Sequence, residues 1–125
     1  MSQEYGFPEP IGLTIEVTDA GRCRVLALTG EIDAASVGDL LRESDDLAAA
    51  GHVDQVLDLG GVRFLDSSGL GAFVSLRRQL AVAGGSLALA CDNESIMRLL
   101  RLTSLDTVLP VHPSVAEALG DGLGG

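Results

Sequence analysis

The sequence contains no lysine and no tryptophan, and it is poor in basic and aromatic residues. All eight basic residues are arginines, against 18 acidic residues, so the formal net charge is −10. Nucleic acids and anionic lipids bind to positive surfaces, and so acidity of this degree argues against both as partners. Without lysine there is no Walker A phosphate loop, because that loop needs an ammonium group to contact the phosphates. Aromatic residues make up only 3% of the chain, so platforms that stack bases are not expected.

Long apolar runs are also missing. The longest lies near Leu87–Cys91, far short of the roughly 20 apolar residues that a membrane-spanning helix needs. Residues 1–10 carry neither a basic residue nor an apolar stretch, so no signal peptide is predicted. We therefore expect a cytoplasmic protein with no inserted membrane segment.

Cysteine and histidine are scarce and scattered. Cys23 and Cys91 lie far apart in apolar, strand-like contexts, and neither His52 nor His112 flanks them. This spacing argues against a zinc site, and no other metal or cofactor is predicted. The expected state of the two cysteines is a pair of buried, reduced thiols, with a disulfide or a redox role as the alternative.

The residues that are abundant indicate one folded domain. The 125 residues are 46% hydrophobic and 21% charged, which is typical of a globular protein with a core, and leucine dominates the apolar set. Residues 11–119 are predicted to form the folded unit. Residues 1–10, which contain Pro8 and Pro10, are predicted to be a flexible N-terminal extension, and the Gly-rich residues 120–125 a flexible tail.

Hydrophobic periodicity predicts an α/β fold. Leu13, Ile15 and Val17 alternate with polar residues, and a short turn leads into Cys23–Thr29, which predicts an antiparallel hairpin. Helices and strands then alternate, so we expect a mixed, mostly parallel sheet of about five strands packed with about four helices. The predicted elements are a helix from Val37 to near Gly51, a strand Val53–Leu59 ended by Gly60 and Gly61, a helix that has Gly69 and Gly71 in its first turn and is ended by Gly84 and Gly85, a strand Ser86–Ala90, a helix Asn93–Leu102, a strand Val108–Leu109 and a helix Pro113–Leu119.

Two details of the helices stay open at this level. Either Asp33 or Ser36 is placed to accept hydrogen bonds from the first amides of the helix that begins at Val37. Arg77 falls inside the apolar arc of the next helix. It either extends past the edge of the core, as long charged side chains do, or contacts a partner.

The segment Asp66-Ser67-Ser68-Gly69-Leu70-Gly71 is the hardest to explain by packing alone. It lies at a predicted helix N-terminus, where free amides and the helix dipole favour an anion such as a phosphate on Ser67 or Ser68. Two glycines in one turn weaken a helix but let another backbone approach closely. The simpler interpretation makes Ser67 an N-cap, Asp66 a charge that complements the dipole, and the glycines hinges.

Catalysis at this segment is less well supported. The nucleophile elbow needs a glycine two residues before its serine, and Leu65 and Asp66 occupy those positions for Ser67 and Ser68. The glycines also lack the third member of the dinucleotide fingerprint. An enzyme with Ser67 as nucleophile and a histidine base is a minor alternative, as is weak nucleotide binding, which the acidic residues oppose.

Three segments together resemble a known family. Leu28-Thr-Gly-Glu-Ile-Asp33, Val56-Leu-Asp-Leu59 and Phe64-Leu-Asp-Ser-Ser-Gly-Leu-Gly71 look like those of a STAS-domain anti-anti-sigma factor of bacteria. The likeness extends to Arg98–Asp106 and covers about residues 11–119. The extension at residues 1–10 is not part of the matching motifs.

The resemblance implies a regulator in a partner-switching circuit rather than an enzyme. In such a circuit the unphosphorylated protein binds an anti-sigma factor with a histidine-kinase-like ATPase fold and frees the sigma factor. That partner would phosphorylate Ser67, with Ser68 a neighbour, and a PP2C-type phosphatase would reverse the reaction. Asp33 should face Ser67 together with Asp66. The implied partner-binding residues are Asp33, Asp66, Ser67, Ser68, Gly69, Leu70 and Gly71, with the exposed side of the helix that follows.

The same fold is compatible with a different role. STAS domains also occur in stress-signalling assemblies and as small subunits of membrane systems that transport lipids or anions. The intact Asp66-Ser67-Ser68 favours the sigma circuit. A transport subunit would bind a membrane ATPase, and its binding should tolerate loss of the Ser67 hydroxyl.

Overall fold

The computed structural model describes residues 12–120, so the predicted extension at 1–10 and all but the first residue of the predicted tail lie outside the described residues. Five strands and four α-helices are present within this range. The strands are β1 (Leu13–Ala20), β2 (Cys23–Ile32), β3 (Asp54–Leu65), β4 (Ser86–Ala90) and β5 (Val111–His112). The helices are α1 (Val37–Ala49), α2 (Ser67–Val82), α3 (Glu94–Leu102) and the short α4 (Val115–Ala118). No helix within 12–120 is long and apolar enough to cross a membrane.

The strands form one sheet in chain order, β1-β2-β3-β4-β5. β1 pairs with β2 in an antiparallel hairpin, and every later pair is parallel. This confirms the predicted α/β class and the mixed, mostly parallel sheet. The helices α1, α2 and α3 each connect one strand to the next parallel strand, and all three connections run in the same direction across the sheet. Because such connections are right-handed, the three helices lie on the same face of the sheet. Leu40 of α1, Phe73 of α2 and Leu100 of α3 accordingly share one core.

The core is aliphatic, as the composition predicts. Phe73 is fully buried in it, and most of the other members of the cluster are leucines, many of them from β2, β3 and the three large helices. The opposite face of the sheet carries a second, smaller cluster under α4. This cluster consists of Val25, Val56, Ala88, Ala90 and Ala118.

β3 is longer than the sequence indicates, because Gly60 and Gly61 do not end it. The pairing with β2 is irregular here, with a register shift between Ala27 and Thr29. A Cβ atom on Gly61 would lie 2.8 Å from the Thr29 hydroxyl oxygen and 2.9 Å from the Leu28 carbonyl oxygen. The glycine lets the two backbones approach at a bulge, and the strand continues to Leu65.

The last strand was predicted at the wrong place. Val108 and Leu109 follow a single 3₁₀ turn, Leu105–Thr107, and both their amides donate to the Leu105 carbonyl. Leu109 is buried in the core, so its apolar character reflects packing of a turn. β5 lies instead at Val111–His112, and α4 begins at Val115 after the Ser114 cap rather than at Pro113.

Candidate functional site

The candidate site lies where β2 and β3 end side by side. Ile32 pairs with Leu65 in parallel register, and the Asp66 amide donates to the Ile32 carbonyl at 3.2 Å. The chain enters the loop to α1 at Asp33 and enters α2 at Ser67. The parallel sheet therefore places the Asp33 loop next to the start of α2, although these segments are far apart in sequence.

Asp66 is the N-cap of α2. Its backbone is extended, and Oδ1 accepts hydrogen bonds from the Ser68 amide at 2.9 Å and the Gly69 amide at 3.3 Å. These are two of the amides that lack an intrahelical partner at a helix start. The simpler sequence interpretation gave the cap to Ser67, and it is wrong on this point: the carboxylate caps the helix, and Ser67 is its first residue.

The two serines differ in accessibility. Ser67 is exposed, whereas Ser68 is half-buried. Within residues 12–120 the Ser67 hydroxyl makes no hydrogen bond. Ser67 therefore presents a hydroxyl group to solvent directly beside the capping carboxylate, which is the arrangement that a modifying enzyme needs to reach its acceptor atom.

The two glycines have different structural roles. Gly69 is buried, and a Cβ atom there would collide with Leu65 Cδ1 and lie 2.8 Å from Ile32 Cγ2. Gly71 is exposed, with nothing within 4 Å of where its Cβ would be. The expectation of bare, approachable backbone is thus wrong for Gly69, whose missing side chain lets α2 pack on the strand ends. For Gly71, whose backbone is exposed, the expectation that another backbone approaches closely stays a prediction.

The Asp33 side chain is fixed within its own turn. Its Oδ1 accepts from the Ala35 amide at 3.0 Å and the Ser36 amide at 3.1 Å, and it is half-buried. Ser36 is the N-cap position of α1, but its hydroxyl does not cap the helix: it accepts from the Asp33 amide and donates to the Glu31 carbonyl. The carboxylate belongs to a rigid loop. That it faces Ser67 stays a prediction.

Phe64 is a neighbour of the site that the sequence pattern did not single out. It lies two residues before Asp66 and is 47% exposed, an unusual exposure for a phenylalanine. In a regular strand, Val62 and Phe64 would lie on the same face of the sheet. In β3, however, Val62 and Leu65 are the residues that are buried in the core. The irregular pairing of β2 and β3 between Gly30 and Glu31 breaks the alternation and leaves Phe64 at the surface. Leu70, by contrast, is half-buried against the core.

No metal-binding chemistry surrounds these residues. Within 12–120 no three His, Cys, Asp or Glu residues are grouped closely enough to hold a metal ion. Cys23 and Cys91 are free and buried, and burial raises the pKa of both thiols, which disfavours the reactive thiolate form. The cavity of about 510 Å³ beside α4 is lined by His112, Ala116, Glu117 and Gly120, and so it is formed by other residues than the candidate site.

Comparison with known proteins finds a consistent set of relatives. The family model described as "STAS domain" matches residues 14–118. A protein of Thermotoga maritima named "Putative anti-sigma factor antagonist" is 32% identical over 75 residues, which is 60% of this chain and 66% of that protein. The match thus spans slightly less than two thirds of that relative's length. The Bacillus subtilis protein named "Anti-sigma-B factor antagonist" is 34% identical over 84 residues, covering 67% of this chain and 76% of the relative.

A solved structure extends the likeness to three dimensions. The crystal structure of an anti-sigma factor antagonist from Mycobacterium paratuberculosis superposes with a TM-score of 0.80 at 27% identity. The superposition covers 90% of this chain and 96% of that one. The similarity therefore includes the whole arrangement of strands and helices that positions the start of α2.

Proposed function

Because this chain belongs to the STAS domain family, we propose that it is an anti-sigma factor antagonist whose binding is switched off by phosphorylation of Ser67. The names of relatives such as the Bacillus subtilis protein support the antagonist role. In this proposal the unphosphorylated chain binds an anti-sigma factor with a histidine-kinase-like ATPase fold and so releases the sigma factor. The same partner is the serine kinase, and a PP2C-type phosphatase restores the binding form.

The observation that carries the proposal is the contrast between Ser67 and Asp66. The Ser67 hydroxyl is exposed and makes no hydrogen bond within residues 12–120. The Asp66 carboxylate already accepts from the amides of Ser68 and Gly69, so a phosphate on Ser67 would not find them free. Of the first three amides of α2, only that of Ser67 itself has no acceptor within residues 12–120. The helix dipole adds about 0.3–1 kcal/mol for an anion at this position. Most of the added charge remains uncompensated, next to an existing carboxylate.

The size of this charge effect is sufficient for a switch. A phosphate adds roughly −1.5 to −2 charges at neutral pH, and two unit charges about 5 Å apart interact by roughly 3 kcal/mol at an effective dielectric of about 20. A micromolar contact is worth only about 8 kcal/mol. Repulsion between the phosphate and an acidic group of the partner that faces Ser67 would therefore remove a large part of the binding energy without unfolding α2. In this role the chain is a substrate and a binder rather than a catalyst.

The proposal is tested by affinity capture from native lysate with wild-type protein, Ser67→Asp and Ser95→Asp, followed by mass spectrometry of the bound proteins. Ser95 is also an exposed serine in the first turn of a helix, so Ser95→Asp is a matched control for added charge. We expect a histidine-kinase-like ATPase to be retained by wild type and Ser95→Asp and lost with Ser67→Asp. Equal retention by all three, or retention of a membrane ATPase instead, would contradict the proposal.

A further inference from the structure

β1 is a long strand at an open edge of the sheet. It covers eight residues and pairs only with β2 among the strands of residues 12–120. The strand at the opposite edge, β5, has only two residues. Proteins protect long edges with lysine, proline, bulges or a covering element, because the unpaired backbone groups can bind another strand. β1 contains neither lysine nor proline, and its pairing with β2 has no register shift. This edge is therefore suited to strand addition.

The unpaired backbone groups of this edge belong to alternate residues. The Glu31 amide donates to the Gly12 carbonyl oxygen at 3.1 Å, so these two residues face each other as a hydrogen-bonded pair. The register of β1 with β2 continues without a break, so every second residue after Gly12 directs its N–H and C=O groups toward β2. The residues between them direct these groups away from the sheet, and they include Leu13, Ile15 and Val17.

The two faces of β1 differ in polarity. Leu13 and Ile15 pack against the main core, on the side of the three large helices. Val17 lies on the same side, because side chains alternate along a strand, and it is 37% exposed. The side chains on the other face are polar and exposed, and they are Thr14, Glu16 and Thr18. β1 thus has one apolar and one hydrophilic row beside its open edge.

We propose that β1 binds β1 of a second copy of this chain in antiparallel orientation, around a two-fold axis at Ile15. The two five-stranded sheets then form one continuous sheet. Ile15 lies opposite the second copy's Ile15, and Leu13 lies opposite its Val17. These residues carry the outward N–H and C=O groups, so each pair exchanges two hydrogen bonds. On the hydrophilic face, Thr14 lies opposite the second copy's Glu16.

Charge and polarity select this register over its neighbours. A two-fold axis at Glu16 would place two carboxylates directly opposite each other, which destabilises an antiparallel pair. An axis at Val17 would place Ile15 opposite Asp19, a carboxylate that already pairs with Arg24 of its own chain. The axis at Ile15 avoids both arrangements. It pairs apolar side chains with apolar ones and sets each glutamate beside an uncharged threonine.

The dimer leaves the candidate site accessible. The two-fold axis reverses the strand direction, so the strand ends that carry Asp33 and Asp66 lie at opposite ends of the joined sheet. Ser67 begins α2 after β3, two strands away from the edge that forms the dimer. The dimer therefore presents two copies of the candidate site that face in opposite directions. This arrangement follows from the strand pairing alone and does not depend on the proposed function.

The test changes the charge of threonines on β1 and measures the dimer dissociation constant of the full chain by sedimentation equilibrium. Thr14→Glu places a carboxylate opposite the second copy's Glu16 twice in each dimer, and Thr14→Arg places a cation there. We expect Thr14→Glu to weaken the dimer about 3- to 30-fold and Thr14→Arg to strengthen it by a similar factor.

Thr18→Glu and Thr18→Arg are the matched controls. Thr18 is exposed on the same face of the same strand, so these substitutions change the net charge equally. In the proposed register Thr18 lies opposite the second copy's Gly12, which has no side chain. We expect both control variants to change the dissociation constant less than about 2-fold.

Amide hydrogen exchange identifies the surface without any substitution. The amides at the open edge should become protected only as the protein concentration rises and the dimer forms, and these are the amides of Leu13, Ile15 and Val17. The amides directed toward β2 should be protected at every concentration, and these are the amides of Thr14, Glu16 and Thr18.

The outcomes separate this inference from the proposed function. A chain that stays monomeric up to about 1 mM would overturn the dimer. A dimer that responds to the Thr18 variants as strongly as to the Thr14 variants would refute the register. Edge amides that are already protected in the monomer would show that another part of the same chain covers the edge, and would also overturn the inference. Ser67→Asp should leave the dimer unchanged, so failure of the switch at Ser67 does not affect this result.

Discussion

The backbone amide of Asp66 donates a hydrogen bond to the carbonyl oxygen of Ile32 at 3.2 Å, and this bond joins the two loops of the candidate site. Ile32 is the last residue of β2 before the Asp33 loop, and Asp66 is the cap of α2. Because the bond is between backbones, it survives substitution of either acidic side chain. The charges at the site can therefore be altered one at a time without moving the loops apart.

Gly69 and Gly71 should respond in opposite ways to alanine. Gly69→Ala forces a methyl group against Leu65 and Ile32, so we expect a loss of about 1–3 kcal/mol in the free energy of unfolding. Gly71→Ala meets open space on an exposed helix face, so we expect a gain of roughly 0.5–1 kcal/mol. Urea unfolding measures both. Equal effects of the two substitutions would contradict the different packing assigned to these glycines.

The Asp66 carboxylate both caps helix α2 and carries a negative charge, and two substitutions distinguish the effects of these two properties. Asp66→Ala removes the acceptor of two amides and should lower the free energy of unfolding by about 0.5–2 kcal/mol. Asp66→Asn keeps a capping oxygen, and asparagine caps about as well as aspartate, so stability should change little. Both remove the negative charge, so both should weaken binding to the captured ATPase equally. If only Asp66→Ala weakened binding, the carboxylate would act through the helix and not through its charge.

The buried thiols predict a fall in stability at alkaline pH. Burial raises the pKa of Cys23 and Cys91 above the ordinary value of 9.0, with smaller contributions from nearby carboxylates. The folded chain thus keeps both protons at a pH where the unfolded chain releases them, and rising pH favours unfolding. We expect the free energy of unfolding to be insensitive to these groups below about pH 8 and to fall as the pH rises past 9.0.

The control for this prediction is the variant in which both cysteines are alanine. Its free energy of unfolding should be lower at every pH, because the smaller alanine side chains leave cavities in the core. The part of the decrease above pH 9.0 that the two thiols cause should, however, disappear. A thiol reagent should also react slowly with the folded protein and rapidly in urea. Thiols that react in the folded protein as fast as a free cysteine would refute their burial.

Much of the fold could be predicted because its elements repeat a local pattern. The alternation in Leu13–Val17 and the helical spacing from Val37 identify a strand and a helix without any tertiary information. The end of β3 and the position of β5 depend instead on contacts between distant residues. Gly61 permits a bulge only because Thr29 lies opposite, and Leu109 is apolar because it closes a turn onto the core. Neither fact is visible in a single segment.

The same division holds at the candidate site. The sequence places an acid, two serines and two glycines at a helix start, and the helix does begin there, at Ser67. It does not distinguish the carboxylate of Asp66 from the Ser67 hydroxyl as the cap, because both residue types cap helices well. It also does not separate the buried Gly69 from the exposed Gly71, since that depends on how Ile32 and Leu65 pack beneath α2.

We propose that a phosphate on Ser67 abolishes binding through its charge, at an otherwise unchanged helix start. The most direct measurement compares the dissociation constants of the unphosphorylated chain and the chain phosphorylated only at Ser67 for the same purified ATPase. One repulsive contact of roughly 3 kcal/mol corresponds to a loss of about 100-fold, so we predict weakening of at least that size. Equal dissociation constants for the two forms would contradict the account.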